Sequence, residues 1–359
     1  MNKPRAIAAC LTACLVAFAS ARADDGEGPT TIAVIGDWPY SQALLDNAHL
    51  LVNAVNDDRA VRLVMHVGDI HSGSMPCTSA HIGFDYQTKT GNPIATSNPG
   101  WNQGVYFQFQ QFDRPVVYTP GDNEWADCHK SKQFSSGAPL KELASVRELF
   151  FSKPGTTLGQ RPKRVTSQAD AYDPAHPEDS QFVENVIWED ARVVFATFNM
   201  PGGSNNDADP WSGIFADAAA QTNEAATRTA ADLRWLDATF ARAKAERARA
   251  IVIGLQADMW DLEGGAAHLT NYTSFVSKLA DLTVKFGRPV LLINGDSHVY
   301  KSDQPLADPT STLGQIHKTQ AVPNLTRIVV EGSGVGTHWL RLSIDPRSAS
   351  VFSWQSIAY

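Results

Sequence analysis

The sequence is short of cysteine. Only four of its 359 residues are Cys, too few for a small disulfide-stapled scaffold, and a cysteine-based nucleophile ranks low. Two of the four, Cys10 and Cys14, fall in an N-terminal segment that reads as a removable export signal, residues 1–23. It carries Lys3 and Arg5, an apolar stretch from Ala6 to Ala19, and the small-x-small triplet Ala21-Arg22-Ala23. A lipoprotein signal ending at Cys14 ranks well below this, because apolar residues continue past it and leave no polar tether. After residue 23 no run approaches the ~20 consecutive apolar residues of a membrane-spanning helix, so no membrane partner is expected. Positive charge is also scarce. Lys and Arg number 30 against 38 Asp and Glu, and losing Lys3, Arg5 and Arg22 with the signal takes the formal net charge from −8 to −11. Such a surface repels nucleic acid and anionic membranes. A small anionic substrate is not excluded, since bound cations reverse a local field. Internal repeats, low-complexity tracts and linkers are absent, so residues 24–359 read as a single domain; at 43% hydrophobic the chain can bury a full core. The remaining cysteines, Cys77 and Cys128, are expected to pair in an exported chain, closing a loop of about fifty residues for roughly 4 kcal/mol on the chain-entropy model. Nothing in the sequence speaks to oligomeric state.

What is present is a repeated ending. Four apolar runs close on Gly-Asp: TTIAVIGD at Asp37, VRLVMHVGD at Asp69, PVVYTPGD at Asp122 and PVLLINGD at Asp296. A fifth run, AIVIGLQAD, brings Gln256 and Asp258, and His298 follows Asp296 by two residues. Between the first two runs, Leu44, Ala48, Leu51 and Val55 recur at helical spacing, which predicts a βαβ unit with parallel strands. Helices are also expected over PLKELASVRELFF, over Thr222 to Ala250 and over FVSKLADLTVKF. The stretch ENVIWEDARVVFATFN predicts two strands about a turn at Glu189-Asp190. Long loops span Ile70 to about Gly104, residues 154–180 and PGGSNNDADPWSG, and the tail has strand character without helix. Alternating strands and helices with a late meander give an α/β sandwich built on mixed sheets. Ligands of open α/β sheets gather beyond the carboxyl ends of strands. A lone strand-Gly-Asp is usually a turn or a helix cap, but four together with a histidine put several carboxylates into one crevice, where a cation is the simplest relief of their repulsion.

The order Gly-Asp37, Gly-Asp69, Gly-Asp122-Asn123-Glu124, a strand ending in Gln256, then Gly-Asp296-Ser297-His298 resembles the calcineurin-like metallophosphoesterases, which include the purple acid phosphatases. The resemblance runs from about Thr31 to Tyr359. It implies an α/β/β/α sandwich of two mixed sheets, two divalent ions bridged by Asp69 and a hydroxide, and hydrolysis of a small-molecule phosphate ester. Asp37, Asp69 and His298 fall on the family pattern. Pro39 stands where a histidine ligand is usual, Asp122 where an asparagine is, Asn123 where the leaving-group histidine is, and Gln256 and Asp296 replace two more histidines. The resemblance thus implies Asp37, Asp69 and His298 around one ion and Asp69, Asp122, Gln256 and Asp296 around the other. An oxygen-rich set suits Mn²⁺, Mg²⁺ or Ca²⁺, with Fe or Zn as alternatives. Asn123 can hydrogen-bond a phosphoryl oxygen but brings no proton, leaving His71, His129, Glu124 or solvent for the leaving group. Two rival readings stand beside the exported phosphoesterase: a phosphoesterase-fold binding protein with little or no turnover, and, ranked lower, a GDS-type serine esterase using Ser297. The run Gly332-Ser333-Gly334-Val335-Gly336 reads as a flexible turn, since no helix N-terminus follows it. Trp101, Trp125, Trp211 and Trp260 read as packing or as the wall of a sugar or nucleobase pocket.

Overall fold

A run of six buried residues, Thr30–Ile35, opens the structured chain as β1, with side chains covered on both faces as a central parallel strand requires. In the computed structural model the described residues are 28–77, 84–85, 94–95, 100–206, 210–333 and 337–359. The expected export signal lies outside them, as do residues 334–336 of the glycine run and 207–209 of the loop after Pro201. The later strands are β2 (Val61–His66), β3 (Phe84–Asp85), β4 (Ile94–Ala95), β5 (Val116–Tyr118), β6 (Thr166–Ser167), β7 (Val186–Asp190), β8 (Val193–Thr197), β9 (Ala250–Gly254), β10 (Val290–Asn294), β11 (Lys301–Asp303), β12 (Leu325–Val329), β13 (His338–Ile344) and β14 (Phe352–Ala358).

They form two mixed sheets and a small ribbon. The first sheet runs β14-β13-β1-β2-β5, with β1, β2 and β5 parallel and β13 and β14 antiparallel. The second runs β11-β12-β10-β9-β8-β7-β6, parallel from β12 through β8 and antiparallel at both edges. β3 pairs only with β4. Three apolar clusters fix the layering. One joins the facing sides of the two sheets, with Val34, Met65 and Leu342 from the first against Phe195, Val252 and Ile293 from the second. Another packs Leu51, Val55, Val105 and Phe150 on the outer face of the first sheet; the third packs Trp235, Leu236, Phe275 and Leu279 on the outer face of the second. The result is the helix–sheet–sheet–helix order expected from the sequence.

The expected helices form at Pro139–Phe150, Ala218–Ala245 and Thr273–Phe286. The longest starts four residues earlier than its pattern suggested, because Asp217 caps it by accepting from Ala220 N at 2.9 Å. Three local expectations are corrected. The single helix after Asp37 is two, Gln42–Asp46 and Ala48–Asp57, broken at Asn47. The loop expected to about Gly104 gives way at Trp101 to the helix Trp101–Phe109. The β7–β8 turn lies at Ala191-Arg192, not Glu189-Asp190, because Glu189 and Asp190 pair with Val194 and Val193 and both turn residues take positive φ, 47° and 57°.

Candidate metal centre

The five strand ends from both sheets converge on one edge of the sandwich. Asp37 follows β1, Asp69 follows β2, Asp122 follows β5, Gln256 follows β9, and Asp296 and His298 follow β10. Asp37, Asp69 and Asp296 themselves occupy the left-handed region, with φ of 49°, 58° and 73°, and so does His298 at 61°. Four non-glycine residues held there together is strain of the kind that concentrates at functional sites, at a cost of order 1–2 kcal/mol each. Two of the glycines ahead of the aspartates make room for neighbouring carboxylates. A Cβ on Gly121 would lie 2.0 Å from Asp69 Oδ1, and one on Gly295 would lie 2.2 Å from Asp37 Oδ2. At these two positions the Gly-Asp pair therefore supplies one carboxylate and clears space for another.

The crevice has two halves. In the first, Asp37, Asp69 and His298 each offer a ligand atom within 4.8 Å of the others, which among the described residues is the group of this kind found. At its centre is a residue the sequence reading missed, Tyr40. Its hydroxyl lies 2.7 Å from Asp69 Oδ2, 3.3 Å from Asp37 Oδ1 and 3.3 Å from His298 Nε2, and accepts from Asn123 Nδ2 at 3.0 Å. Burial, then the charges of Asp69 and Asp37, push the Tyr40 pKa well up, so the phenol is neutral. Asp37 Oδ1 also accepts from Asp296 N at 3.1 Å, whereas Asp37 Oδ2 is buried with no hydrogen-bond partner. An unsatisfied carboxylate oxygen in a group of three ligands suits a divalent cation, and the donor set fits one. His298, partly exposed, has its pKa raised: burial opposes the charge, but the hydrogen bond and charge of Asp37 outweigh it.

In the second half, Asp122 Oδ2 and Asp296 Oδ1 flank Gly202, at 3.0 and 2.8 Å from where its Cβ would be. Gln256 enters by its nitrogen. Its Nε2 donates to Asp69 Oδ2 at 3.2 Å and Asp122 Oδ1 at 3.1 Å, while its oxygen accepts from Gly202 N. The oxygen expected as a ligand at Gln256 is engaged by Gly202 N, and the amide nitrogen faces Asp69 and Asp122. Burial first, then neighbouring carboxylates, raises the pKa of Asp69 and Asp296 well above the ordinary range and that of Asp122 to about 6, with Lys130 and Lys132 opposing the shift at Asp122.

The other singled-out residues divide. Asn123 is central: its backbone N–H reaches Asp69 Oδ1 at 3.2 Å and its amide reaches Asp69 Oδ2 at 2.9 Å and the His71 carbonyl at 3.1 Å. His71 touches the site through that carbonyl; its ring is buried, Nδ1 donates to Ser72 O at 3.1 Å, Nε2 has no partner, and burial lowers its pKa to about 4. At neutral pH it carries no proton to give a leaving group. Glu124 is a clamp beneath the crevice, its Oε1 accepting from Ile70 N and Gly121 N at 3.1 Å and from Tyr118 Oη at 2.8 Å, with burial raising its pKa to about 7. His129 Nδ1 accepts from Ser212 N at 3.1 Å. Ser297 donates to Asp258 Oδ2 at 2.7 Å, a carboxylate whose other oxygen is held by the buried Arg327. Cys77 and Cys128 form the expected disulfide, tying the loop after Asp69 to the loop after Asp122. All four singled-out tryptophans are buried and serve packing: Trp125 and Trp260 lie under the guanidinium groups of Arg228 and Arg327, and Trp101 Nε1 donates to Ile70 O at 2.7 Å. Among the described residues no helix is long and apolar enough to cross a membrane.

Comparison with known proteins matches the chain to no family model and to no curated protein. Among solved structures it is similar to GAP50, the anchor in the inner membrane complex of Plasmodium, at a TM-score of 0.41 and 10% sequence identity, over 92% of this chain and 89% of that one.

Proposed function

We propose that the protein is an exported, metal-dependent phosphoesterase acting on a small phosphate ester. The observation that carries this reading is the buried, unpartnered Asp37 Oδ2 within the Asp37–Asp69–His298 group. Those three residues would hold the ion, in the space between them where the Tyr40 hydroxyl lies. When bound, a divalent cation lowers the pKa of water and neutralises charge developing on the phosphoryl group. Asn123 orients Asp69 through two hydrogen bonds, and its amide hydrogens, already shared among Asp69, the Tyr40 hydroxyl and the His71 carbonyl, would have to leave one of these to reach a phosphoryl oxygen. His298 stands at the partly open mouth, where its imidazole is braced by Asp37. Asp122 and Asp296 keep the second half acidic. A second ion there would have to displace the Gln256 amide from Asp122, and no step is derived through it. With His71 neutral, Glu124 buried in backbone contacts and Asn123 unable to ionise, esters with good leaving groups are favoured.

The second reading, a binding protein of the same fold, is favoured by one observation. Tyr40, Asn123 and Gln256 already give the carboxylates neutral donors without any ion. One experiment separates the readings. Metal content and hydrolysis of an aryl phosphate are measured on the protein after loading with Mn²⁺, Mg²⁺, Ca²⁺, Fe²⁺ or Zn²⁺, beside Asp37→Asn. Ion binding and turnover, both lost in D37N, support the enzyme. Ion binding without turnover supports the binding protein, and no ion under any condition sinks both the ligand assignment and the mechanism.

A further inference from the structure

A groove of about 470 Å³ lies between the helices Ala218–Ala245 and Thr273–Phe286, on the outer face of the second sheet, and its size is that of a small-molecule site. Phe240 and Ala241 line it from the first helix and Leu282 and Phe286 from the second, with the rings of Phe240 and Phe286 edge to face at 5.9 Å. The helices lead into the parallel neighbours β9 and β10, so they run side by side in one direction. Their charged residues mark two unlike ends. At one, Asp237 is neutralised by an ion pair with Lys278 across the helices. Seven residues further along each helix, about 10 Å by the helical rise, stand Lys244 and Lys285, and Arg288 follows the second helix. This end lies beside the starts of β9 and β10, whereas the acidic crevice lies beyond their ends. Among the described residues neither lysine side chain has an ion-pair or hydrogen-bond partner. Arg288 is held by the carbonyls of Arg247, at 3.0 Å, and Ala248, and by no carboxylate. The acids next in sequence are engaged, Glu246 with Arg242 and Asp281 with Gln320. Lysine in a last helical turn ordinarily balances the helix dipole, but two helix C-termini bring only about one negative charge between them against three cations.

We propose that this groove binds a small amphiphile with a single anionic head, its apolar body laid on Phe240, Leu282 and Phe286 and its head between Lys244, Lys285 and Arg288. The inference stands apart from the phosphoesterase reading, because it uses none of the crevice residues. Charge complementarity selects the occupant. A neutral apolar molecule leaves three cations unanswered, and a polyanion gains nothing from the aromatic floor or from the neutralised Asp237 end. Arg288 fixes one charge in place through its two carbonyls, while the lysines carry rotatable donors on stems that pack along apolar surface.

The test uses anilinonaphthalene sulfonate as a fluorescent probe beside its uncharged analogue N-phenylnaphthylamine, with octanoate and octanol as competitors. The variants are Lys244→Ala/Lys285→Ala, the groove-filling Ala241→Phe, and a control, Lys141→Ala, on the helix Pro139–Phe150 at the other sheet. Melting curves check that each variant is folded. The wild type is expected to bind the sulfonate more tightly than the uncharged analogue and to release it to octanoate but not to octanol at the same concentration. The double lysine variant should bind the sulfonate about ten-fold more weakly, the combined worth of two largely exposed charge pairs, with the uncharged analogue unaffected. A241F should lose both probes, and K141A should match the wild type. Absence of sulfonate binding by the wild type overturns the proposal, as does equal affinity in the wild type and the double lysine variant. Undiminished binding by folded A241F places the probe elsewhere and overturns it too; should A241F not fold, the lysine comparison decides alone. A wild-type dimer that A241F converts to a monomer gives the groove to a second copy of the chain, which also overturns the small amphiphile.

Discussion

At the scale of single residues, Tyr40 decides how the acidic crevice is kept in order. Its hydroxyl supplies a donor to Asp69 at 2.7 Å and occupies the space between the three ligand groups of the proposed ion. Removing it in Tyr40→Phe leaves buried carboxylate oxygens short of a donor, at a cost of about 1–3 kcal/mol to the metal-free protein. A cation supplies that missing compensation, so Mn²⁺ should stabilise Y40F more than the wild type. Urea unfolding with and without the ion measures both increments, and equal increments would contradict a shared position for hydroxyl and ion. The aspartates were legible in the sequence because each ends an apolar run, and the fold then had to bring those endings together. Tyr40 was not legible. It follows Asp37 by three residues, past a left-handed Asp37 that no sequence pattern announces. Gln256 was legible in place but not in orientation, since its oxygen is claimed by Gly202 N from a loop with no sequence signal for the contact.

Among the elements, the turn Gly202–Asn206 matters most to the site and was least readable. Gly203, Ser204, Asn205 and Asn206 all take left-handed backbone angles, with φ near 60°. Asn tolerates this conformation better than most residues, but three consecutive non-glycine residues there need outside support. Arg228 provides it. Its guanidinium donates to the Asn205 carbonyl at 3.1 Å and to the Asn205 side chain, while Glu224 holds it at 2.7 Å. Arg228→Met should destabilise the protein by about 3–5 kcal/mol, the cost of breaking a buried ion pair. Amide hydrogen exchange at 202–206 should rise by more than at the β-strands, and protection unchanged in this turn would refute the bracing role. The disulfide acts on a neighbouring pair of loops. Because it closes a separation of 51 residues, reduction should cost roughly 4 kcal/mol on the chain-entropy model. A melting temperature unmoved by reductant would remove that contribution. Buried strands with punctuated ends were readable by alternation and composition; the turn was not, because its geometry is imposed by Arg228 from the helix Ala218–Ala245, a contact no local pattern announces.

For the whole molecule, layer order followed from the alternation of buried strands and amphipathic helices, and the same burial makes stability depend on pH in a way sequence alone does not reveal. Two sets of buried groups oppose each other. Burial lowers His66 and His71 from 6.5 to about 4. Their stabilising effect is complete above pH 6.5 and is lost as pH falls towards 4, because the unfolded chain then takes up protons that the native rings refuse. Burial raises Asp122 from 3.8 to about 6 and Glu124 from 4.5 to about 7, and raises Asp69, Asp232 and Asp296 well above 3.8. Their sign is the reverse. Stability from these acids is full below the unfolded values and drains away as pH rises through the folded ones, because the native state holds protons the unfolded chain has released. Between pH 4 and 6.5 the two sets partly cancel. Above 6.5 His66 and His71 contribute no further change and the acids still lose ground, so the melting temperature of the metal-free protein should fall from pH 6.5 to about pH 8. A divalent cation requires ionised ligands and binds the native state preferentially, which opposes that fall. Melting curves over this range, with a chelator and with saturating Mn²⁺, are therefore expected to diverge as pH rises. Parallel curves would mean that the buried aspartates are neutralised from within the protein and that no ion belongs among them.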